Sequence, residues 1–79
     1  MSLKTNIEEI VLLDKAERLQ LIRSYAVELF EGDKVSSEHW LTSSIPALAL
    51  KTPLDYANTV EGTKEVILLI GRLEHGVFT

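Results

Sequence analysis

Residues 14–32 read DKAERLQLIRSYAVELFEG, and this stretch decides the fold class. Asp14 followed three residues later by Glu17 is a capping-box pattern, which predicts that a helix begins at Lys15. Apolar residues then recur at steps of three and four, so they share one face of the helix: Leu19, Ile22, Ala26, Leu29 and Phe30. We expect Gly32 to end the helix as its C′ residue, because glycine adopts the left-handed conformation readily.

The same helical patterning continues outside this stretch. Further helix starts are predicted at four capping positions: Asn6, Ser36 or Ser37, Thr52 and Thr59. The last helix is expected to run over residues 60–75, with Gly76 as its C′ residue. The sequence therefore predicts an all-α fold, a small bundle of about five or six short helices. One longer amphipathic helix lies near the N-terminus and another at the C-terminus.

The last helix carries more apolar residues than one core face needs. On a helical wheel, one face is predicted to point toward the core: Val66, Leu69, Ile70 and Leu73. Ile67 and Leu68 lie off that face, next to Gly71. We therefore expect Ile67, Leu68 and Gly71 to form a second contact surface, most simply between the subunits of a homodimer.

Size and charge exclude several classes of protein. The chain has 79 residues, enough for one domain, and no cysteine, so no disulfide or thiolate metal site exists. The net charge is −4 and the eight basic residues are scattered, which makes nucleic-acid binding by this chain alone unfavourable. No apolar run is long enough for a signal peptide or a membrane span, and we expect a soluble cytoplasmic protein.

Catalytic chemistry finds no support in the sequence. The two histidines, His39 and His75, fall in separate elements, and the four glycines occur singly rather than in a phosphate-binding loop. The serines occupy loop and cap positions, and no nucleophile has a recognisable base beside it. We predict no catalytic residue, no metal site and no cofactor, and hence a protein that is not an enzyme.

The second half of the chain contains an ordered series of short motifs. It begins with Trp40-Leu41 and Pro46-Ala47-Leu48, continues with Lys51-Thr52-Pro53-Leu54-Asp55 and Glu61-Gly62, and ends with Gly71-Arg72-Leu73-Glu74-His75-Gly76-Val77-Phe78. This series resembles the toxin-binding domain of the Xre/MbcA/ParS-like antitoxins. The resemblance covers residues 14–79 as that domain and leaves residues 1–13 as a short N-terminal helix or extension. Trp40, Leu41, Thr52, Pro53, Leu54 and Gly62 then carry the structural motif.

The resemblance implies a function and a partner. The partner is a RES-domain toxin, which degrades NAD⁺ or transfers ADP-ribose from it, and the antitoxin covers the active site of the toxin with its C-terminal region. The toxin-binding residues carried over are Arg72, Glu74, His75, Gly76, Val77 and Phe78. Arg72 and His75 would satisfy polar groups that otherwise bind the NAD⁺ phosphates, and Val77 and Phe78 would fill apolar space. Cations near a helix C-terminus are also simply stabilising, by about 0.3–1 kcal/mol.

Two departures from the family pattern affect the interpretation. Ala49-Leu50 stands where the family has Gly-Gly, so positive φ angles at that turn are expected to be costly. Residues 1–13 are too few for the helix-turn-helix that full-length relatives carry. The alternative function is therefore a helical dimerisation module of a transcription regulator lacking its own DNA-binding half, and a third class is direct nucleic-acid binding.

Overall fold

A computed structural model describes the backbone of residues 7–75 and the side chains of residues 9–74. Four α-helices follow in chain order: α1 Lys15–Leu29, α2 Lys34–Leu41, α3 Pro53–Tyr56 and α4 Val60–His75. Two short 3-10 helices accompany them, Ile7–Leu12 before α1 and Pro46–Leu48 between α2 and α3. No strand occurs between residues 7 and 75, and the predicted all-α bundle is confirmed.

The start of α1 has the predicted capping box. The Glu17 backbone N–H donates a 2.8 Å hydrogen bond to Asp14 Oδ1, and the Asp14 N–H donates one of 3.0 Å to Glu17 Oε1. These reciprocal bonds satisfy N–H groups that would otherwise lack a partner at the helix start. The apolar face of α1 then contributes Ile22, Tyr25 and Ala26 to the buried core.

The end of α1 differs from the prediction by one residue. Glu31, not Gly32, takes the left-handed C′ position, with φ of 55°. The Glu31 N–H donates to the Glu28 carbonyl and the Gly32 N–H donates to the Val27 carbonyl, at 3.1 and 2.8 Å. This pair of bonds is a Schellman motif, in which Gly32 (φ 92°) is the residue after C′.

The start of α2 also corrects a prediction. The helix begins at Lys34 rather than after Ser36 or Ser37, and Asp33 is its N-cap. Asp33 Oδ1 accepts the Ser36 backbone N–H at 3.0 Å and Oδ2 accepts the Ser36 hydroxyl at 2.8 Å. Ser37 is instead buried inside the helix, where its hydroxyl donates to the Lys34 carbonyl. The aspartate carboxylate provides two acceptors, so the helix gains one more turn at its start.

The core lies where α4 packs against α1. Val66 and Ile70 of α4 are fully buried, Leu69 is nearly so, and Leu73 is half-buried against the same cluster. The helical wheel was wrong about Ile67, which is only 8% exposed and belongs to this core. The 3-10 helix Ile7–Leu12 also packs against α4 and contributes the fully buried Ile10, so the core face of α4 is wider than one stripe.

Candidate functional site

The Thr52-Pro53-Leu54 motif starts α3, as predicted. Thr52 is the N-cap, and its hydroxyl oxygen accepts the Asp55 backbone N–H at 3.1 Å. Pro53 is buried at the first helical position, where its fixed φ suits the helix. Leu54 is partly buried against the core, as is Trp40, while Leu41 is fully buried. These motif residues therefore hold the bundle together around the start of α3.

Gly62 allows α3 to lie directly against the first turn of α4. Its backbone N–H donates a 3.0 Å hydrogen bond to the hydroxyl oxygen of Thr59, which is consistent with the predicted N-cap role of Thr59. A Cβ placed on Gly62 would overlap the carbonyl oxygen of Tyr56 and lie 2.8 Å from the carbonyl carbon. The buried Thr63 hydroxyl lies 3.0 Å from the Ala57 carbonyl oxygen and 2.8 Å from that of Thr59. This junction fixes the direction in which α4 leaves α3.

Arg18 connects the same junction to the start of α1. Its Nη1 donates to the Leu13 carbonyl and its Nη2 donates to the Asn58 carbonyl, both at 3.2 Å. Sequence reasoning treated Arg18 only as a scattered base, because the Asn58 carbonyl is forty residues away along the chain. The guanidinium thus positions α4 relative to α1.

The turn before α3 keeps positive φ angles without glycine. Ala49 has φ of 58° and Leu50 has φ of 65°, both in the left-handed region. Backbone bonds hold this conformation: the Ile45 N–H donates to the Lys51 carbonyl at 3.1 Å, and the Leu50 N–H donates to the Ile45 carbonyl at 3.0 Å. The chain therefore adopts at this turn the conformations that the sequence predicted to be costly.

The exposed face of α4 combines residues from the two predicted interfaces. Leu68 is 44% exposed, Arg72 is exposed, and nothing lies within 4 Å of a Cβ built on Gly71. Since Leu68 and Arg72 are four residues apart, they lie on the same side of the helix. Glu74 is also exposed. The side chain of His75 and the residues Gly76, Val77 and Phe78 lie outside the described part of the chain.

The charged side chains of residues 9–74 form two ion pairs, and neither involves Arg72. Arg23 Nη1 lies 2.6 Å from Glu38 Oε1 and joins α1 to α2 on the surface, while Lys64 lies 3.7 Å from Glu61. The hydrogen bonds from the Ser36 backbone N–H and then the Ser36 hydroxyl lower the pKa of Asp33 below its ordinary value of 3.8. Arg72 is exposed, and no carboxylate among the side chains of residues 9–74 lies within ion-pair distance of its guanidinium.

None of the helices between residues 7 and 75 combines the length and the apolarity needed to cross a membrane. In that part of the chain, no three histidine, aspartate or glutamate side chains come together in a way that would hold a metal ion.

Between residues 7 and 75 the chain is a small all-α bundle in which one side of the last helix is exposed. Residues 26–76 match the family model described as the antitoxin Xre/MbcA/ParS C-terminal toxin-binding domain. The chain belongs to this family.

Two curated relatives agree with this assignment. The chain is 39% identical over 66 residues to an "Antitoxin Xre" of Yersinia enterocolitica, an alignment that covers 84% of the chain and 45% of the relative. It is 38% identical over 60 residues to an "Antitoxin Xre" of Photorhabdus laumondii, with 76% and 40% covered. The chain thus spans less than half the length of these relatives. No solved structure is significantly similar to it.

Proposed function

We propose that this chain is the toxin-binding part of an antitoxin in a type II toxin–antitoxin system, and that its partner is a RES-domain toxin. The observation that carries the proposal is the exposed α4 face, on which Leu68, Gly71 and Arg72 precede the C-terminal segment. This face lies at the end of the segment that matches the toxin-binding family model. The chain neutralises its partner by binding it and has no catalytic role of its own.

The proposed mechanism is occlusion of the toxin's active site. A site that binds NAD⁺, a negatively charged dinucleotide, carries positive potential, and a chain with net charge −4 is complementary to it. Glu74, exposed near the end of α4, is the carboxylate best placed to meet phosphate-binding cations. Arg72 and His75 bind polar groups at the rim of the toxin's active-site cleft. Val77 and Phe78, which follow Gly76, enter the apolar part of that cleft.

The proposed functional domain is residues 14–79 and includes the whole of α1. The family match begins only at residue 26, inside α1, but α1 packs as one helix against both α2 and α4. The chain works in the cytoplasm, where NAD⁺-consuming toxins act. A homodimer would use the exposed Leu68 and the open space beside Gly71, whereas Ile67 is committed to the core of its own chain.

The test is co-expression with a RES-domain toxin, followed by co-purification and an NAD⁺-consumption assay. The full chain is expected to form a stable complex and to spare NAD⁺, and removal of residues 76–79 is expected to abolish both. The truncation leaves the buried residues of α4 in place, so unfolding of the bundle is not the expected cause.

A point variant on another helix provides the control. Arg72→Ala and Glu74→Ala should each weaken inhibition, while Gln20→Ala, at an exposed position of α1 away from the α4 face, should leave it unchanged. Unchanged binding after the C-terminal truncation would refute the occlusion mechanism. A full chain that neither binds the toxin nor spares NAD⁺ would refute the antitoxin role itself.

One observation favours the alternative, a helical dimerisation module of a transcription regulator. An open apolar groove of about 510 Å³ runs beside α2, lined by Phe30, Val35, Ser36, His39, Trp40 and Ser43. Val35 is 82% exposed and lines this groove with Phe30 and Trp40, and contiguous exposed apolar surface is typical of contact sites. A dimer in sedimentation that Val35→Glu dissociates, together with no toxin binding, would favour this function.

A further inference from the structure

We infer that the turn of residues 46–51 is a second contact surface for the toxin, separate from the C-terminal segment, and that Leu50 is its anchoring side chain. The inference rests on the proposed function, since it takes the partner to be a toxin. It adds a contact in the segment that precedes α3 in the sequence, whereas the predicted toxin-binding residues lie at the end of α4 and after it.

The surface chemistry of the turn is that of the centre of a protein interface. Leu50 is 68% exposed, and Pro46, Ala47 and Ala49 are exposed beside it. Residues 39–50 contain no aspartate, glutamate, lysine or arginine, although a quarter of the residues of the chain are charged. Interface centres are depleted of charge in this way, whereas an ordinary solvent-exposed turn is polar.

The backbone of the turn adds a second, independent observation. Two consecutive residues with side chains, Ala49 and Leu50, lie in the left-handed region, where the Cβ is crowded against the following carbonyl oxygen. Strained conformations of this kind persist where the surrounding structure enforces them, and they concentrate at binding sites. Here the hydrogen bonds between Ile45 and the residues Leu50 and Lys51 enforce the conformation. Within its own chain, Leu50 gains little packing in return, so contact with a partner is the compensation that the structure leaves open.

Hydrogen bonds to Ile45 hold the backbone of the turn in one conformation before any partner binds. An anchor that is already held in one backbone conformation loses little conformational entropy when a partner covers it. Leu50 is therefore suited to insertion into a preformed apolar pocket.

The expected occupant is the toxin rather than a second copy of this chain. A two-fold contact centred on the turn would bring Lys51, exposed at its end, close to the Lys51 of the other copy, and like charges oppose such a contact. A stable dimer also buries about 800 Å² on each partner, far more than one leucine and its small neighbours provide. For a secondary contact that adds to the one made by the C-terminal segment, the same area is sufficient. The turn also lies inside residues 26–76, the segment that matches the toxin-binding family model.

The experiment measures toxin affinity and thermal stability together for variants of the full chain, with the RES-domain toxin of the co-expression test as the probe. Leu50→Gly removes the side chain and the backbone strain at once, so it should raise the melting temperature while weakening binding about 10- to 100-fold. Leu50→Ala should weaken binding without raising the melting temperature. Leu50→Met, of similar volume, should keep nearly full affinity.

Ala49→Gly is the matched control, because it relieves the same kind of strain one residue earlier and leaves Leu50 in place. It should raise the melting temperature by about 4 °C with unchanged affinity. Wild-type affinity in both Leu50→Gly and Leu50→Ala would overturn the inference while leaving the antitoxin role intact. Loss of self-association instead of toxin binding in Leu50→Ala would also overturn it, in favour of a contact between copies. If the unmodified chain fails to bind the toxin, the proposed function fails and the inference falls with it.

Discussion

The junction between α3 and α4 and the turn before α3 use glycine in opposite ways. At the junction the chain has kept Gly62, whose φ is an ordinary helical one but whose missing Cβ makes room for the Tyr56 carbonyl. At the turn the chain has Ala49 and Leu50 at φ of 58° and 65°, a conformation that glycine adopts more cheaply.

The difference between the two places is one of space against conformation. A backbone overlap cannot be relieved by a small rotation, so the position of Gly62 tolerates no side chain. A left-handed residue with a Cβ costs a limited free energy that hydrogen bonds around it can offset. The structure therefore has glycine at position 62, where space requires it, and has Ala49 and Leu50 at the turn, where only conformation favours glycine.

The largest expected effect is that of Gly62→Ala. Its Cβ would overlap the Tyr56 carbonyl oxygen, and the α3–α4 junction would have to open, moving the buried Thr63 and its hydrogen bonds as well. We expect a loss of at least about 3 kcal/mol in the free energy of unfolding, measured by urea denaturation. That is a large share of the total stability of a domain of this size.

Gly71→Ala is the control for that variant. Gly71 lies in the same helix with nothing within 4 Å of a built Cβ, so the substitution should stabilise the chain by about 0.5–1 kcal/mol through helix propensity. Equal destabilisation by both variants would mean that the overlap at Gly62 is not the cause. A gain in stability at Gly71 accompanied by weaker self-association would also support the predicted contact surface on α4.

The second effect concerns the turn. Restoring glycine at both positions, Ala49→Gly with Leu50→Gly, should raise the free energy of unfolding by about 1 kcal/mol per position. The comparison variant is Ala47→Gly, at an exposed residue of the neighbouring 3-10 helix whose φ is negative. It should lower stability by about 0.5–1 kcal/mol, since there glycine adds only unfolded-state entropy. If all three glycines act in the same direction, the positive φ angles do not store strain.

The third prediction concerns the start of α1, which contains no glycine and is held by the hydrogen bonds of the capping box. Asp14→Ala removes the side-chain acceptor of the Glu17 N–H, while the bond from the residue 14 backbone N–H to Glu17 stays possible; it should cost about 1 kcal/mol, with the loss of helicity beginning at the start of α1. Asp14→Asn keeps an acceptor for the Glu17 N–H and should cost much less. Circular dichroism during urea unfolding separates the two variants, and equal losses would show that charge rather than hydrogen bonding governs this cap.

The sequence predicted those features that depend on neighbouring residues. The all-α class, the capping box at Asp14 and the Thr52-Pro53 start of α3 follow from patterns within four residues, and the structure contains them. Two of the missed features depend on distant parts of the chain. Ile67 is buried because the core face of α4 is wider than one stripe, and Arg18 acquires its role from a carbonyl forty residues away. The helix start at Asp33 was missed because three polar residues compete there and their hydrogen bonds decide.

The candidate site was predicted less completely than the fold. Arg72 and Glu74 are exposed, as the apolar pattern of α4 predicts, and their toxin-binding role stays a prediction. From the sequence, the turn at Ala49 and Leu50 is recognised only as a departure from the family pattern. The cost of a positive φ can be predicted from sequence, but whether the chain adopts that conformation depends on the Ile45 hydrogen bonds.

The smallest expected effect is the pH dependence of the cap at Asp33, which follows the other left-handed turn, at Glu31 and Gly32. Ser36 hydrogen bonds lower the folded-state pKa of this carboxyl below 3.8. The stabilisation they provide is therefore present above the unfolded-state pKa and is lost as the pH falls through the folded-state pKa. Asp33→Asn retains a good N-cap but does not titrate, so its urea midpoint should decline less between pH 5 and pH 2 than that of the unmodified chain. Because Asp33 is exposed, the difference is small, and parallel pH profiles for the two proteins would contradict the assigned role of the Ser36 bonds in lowering that pKa.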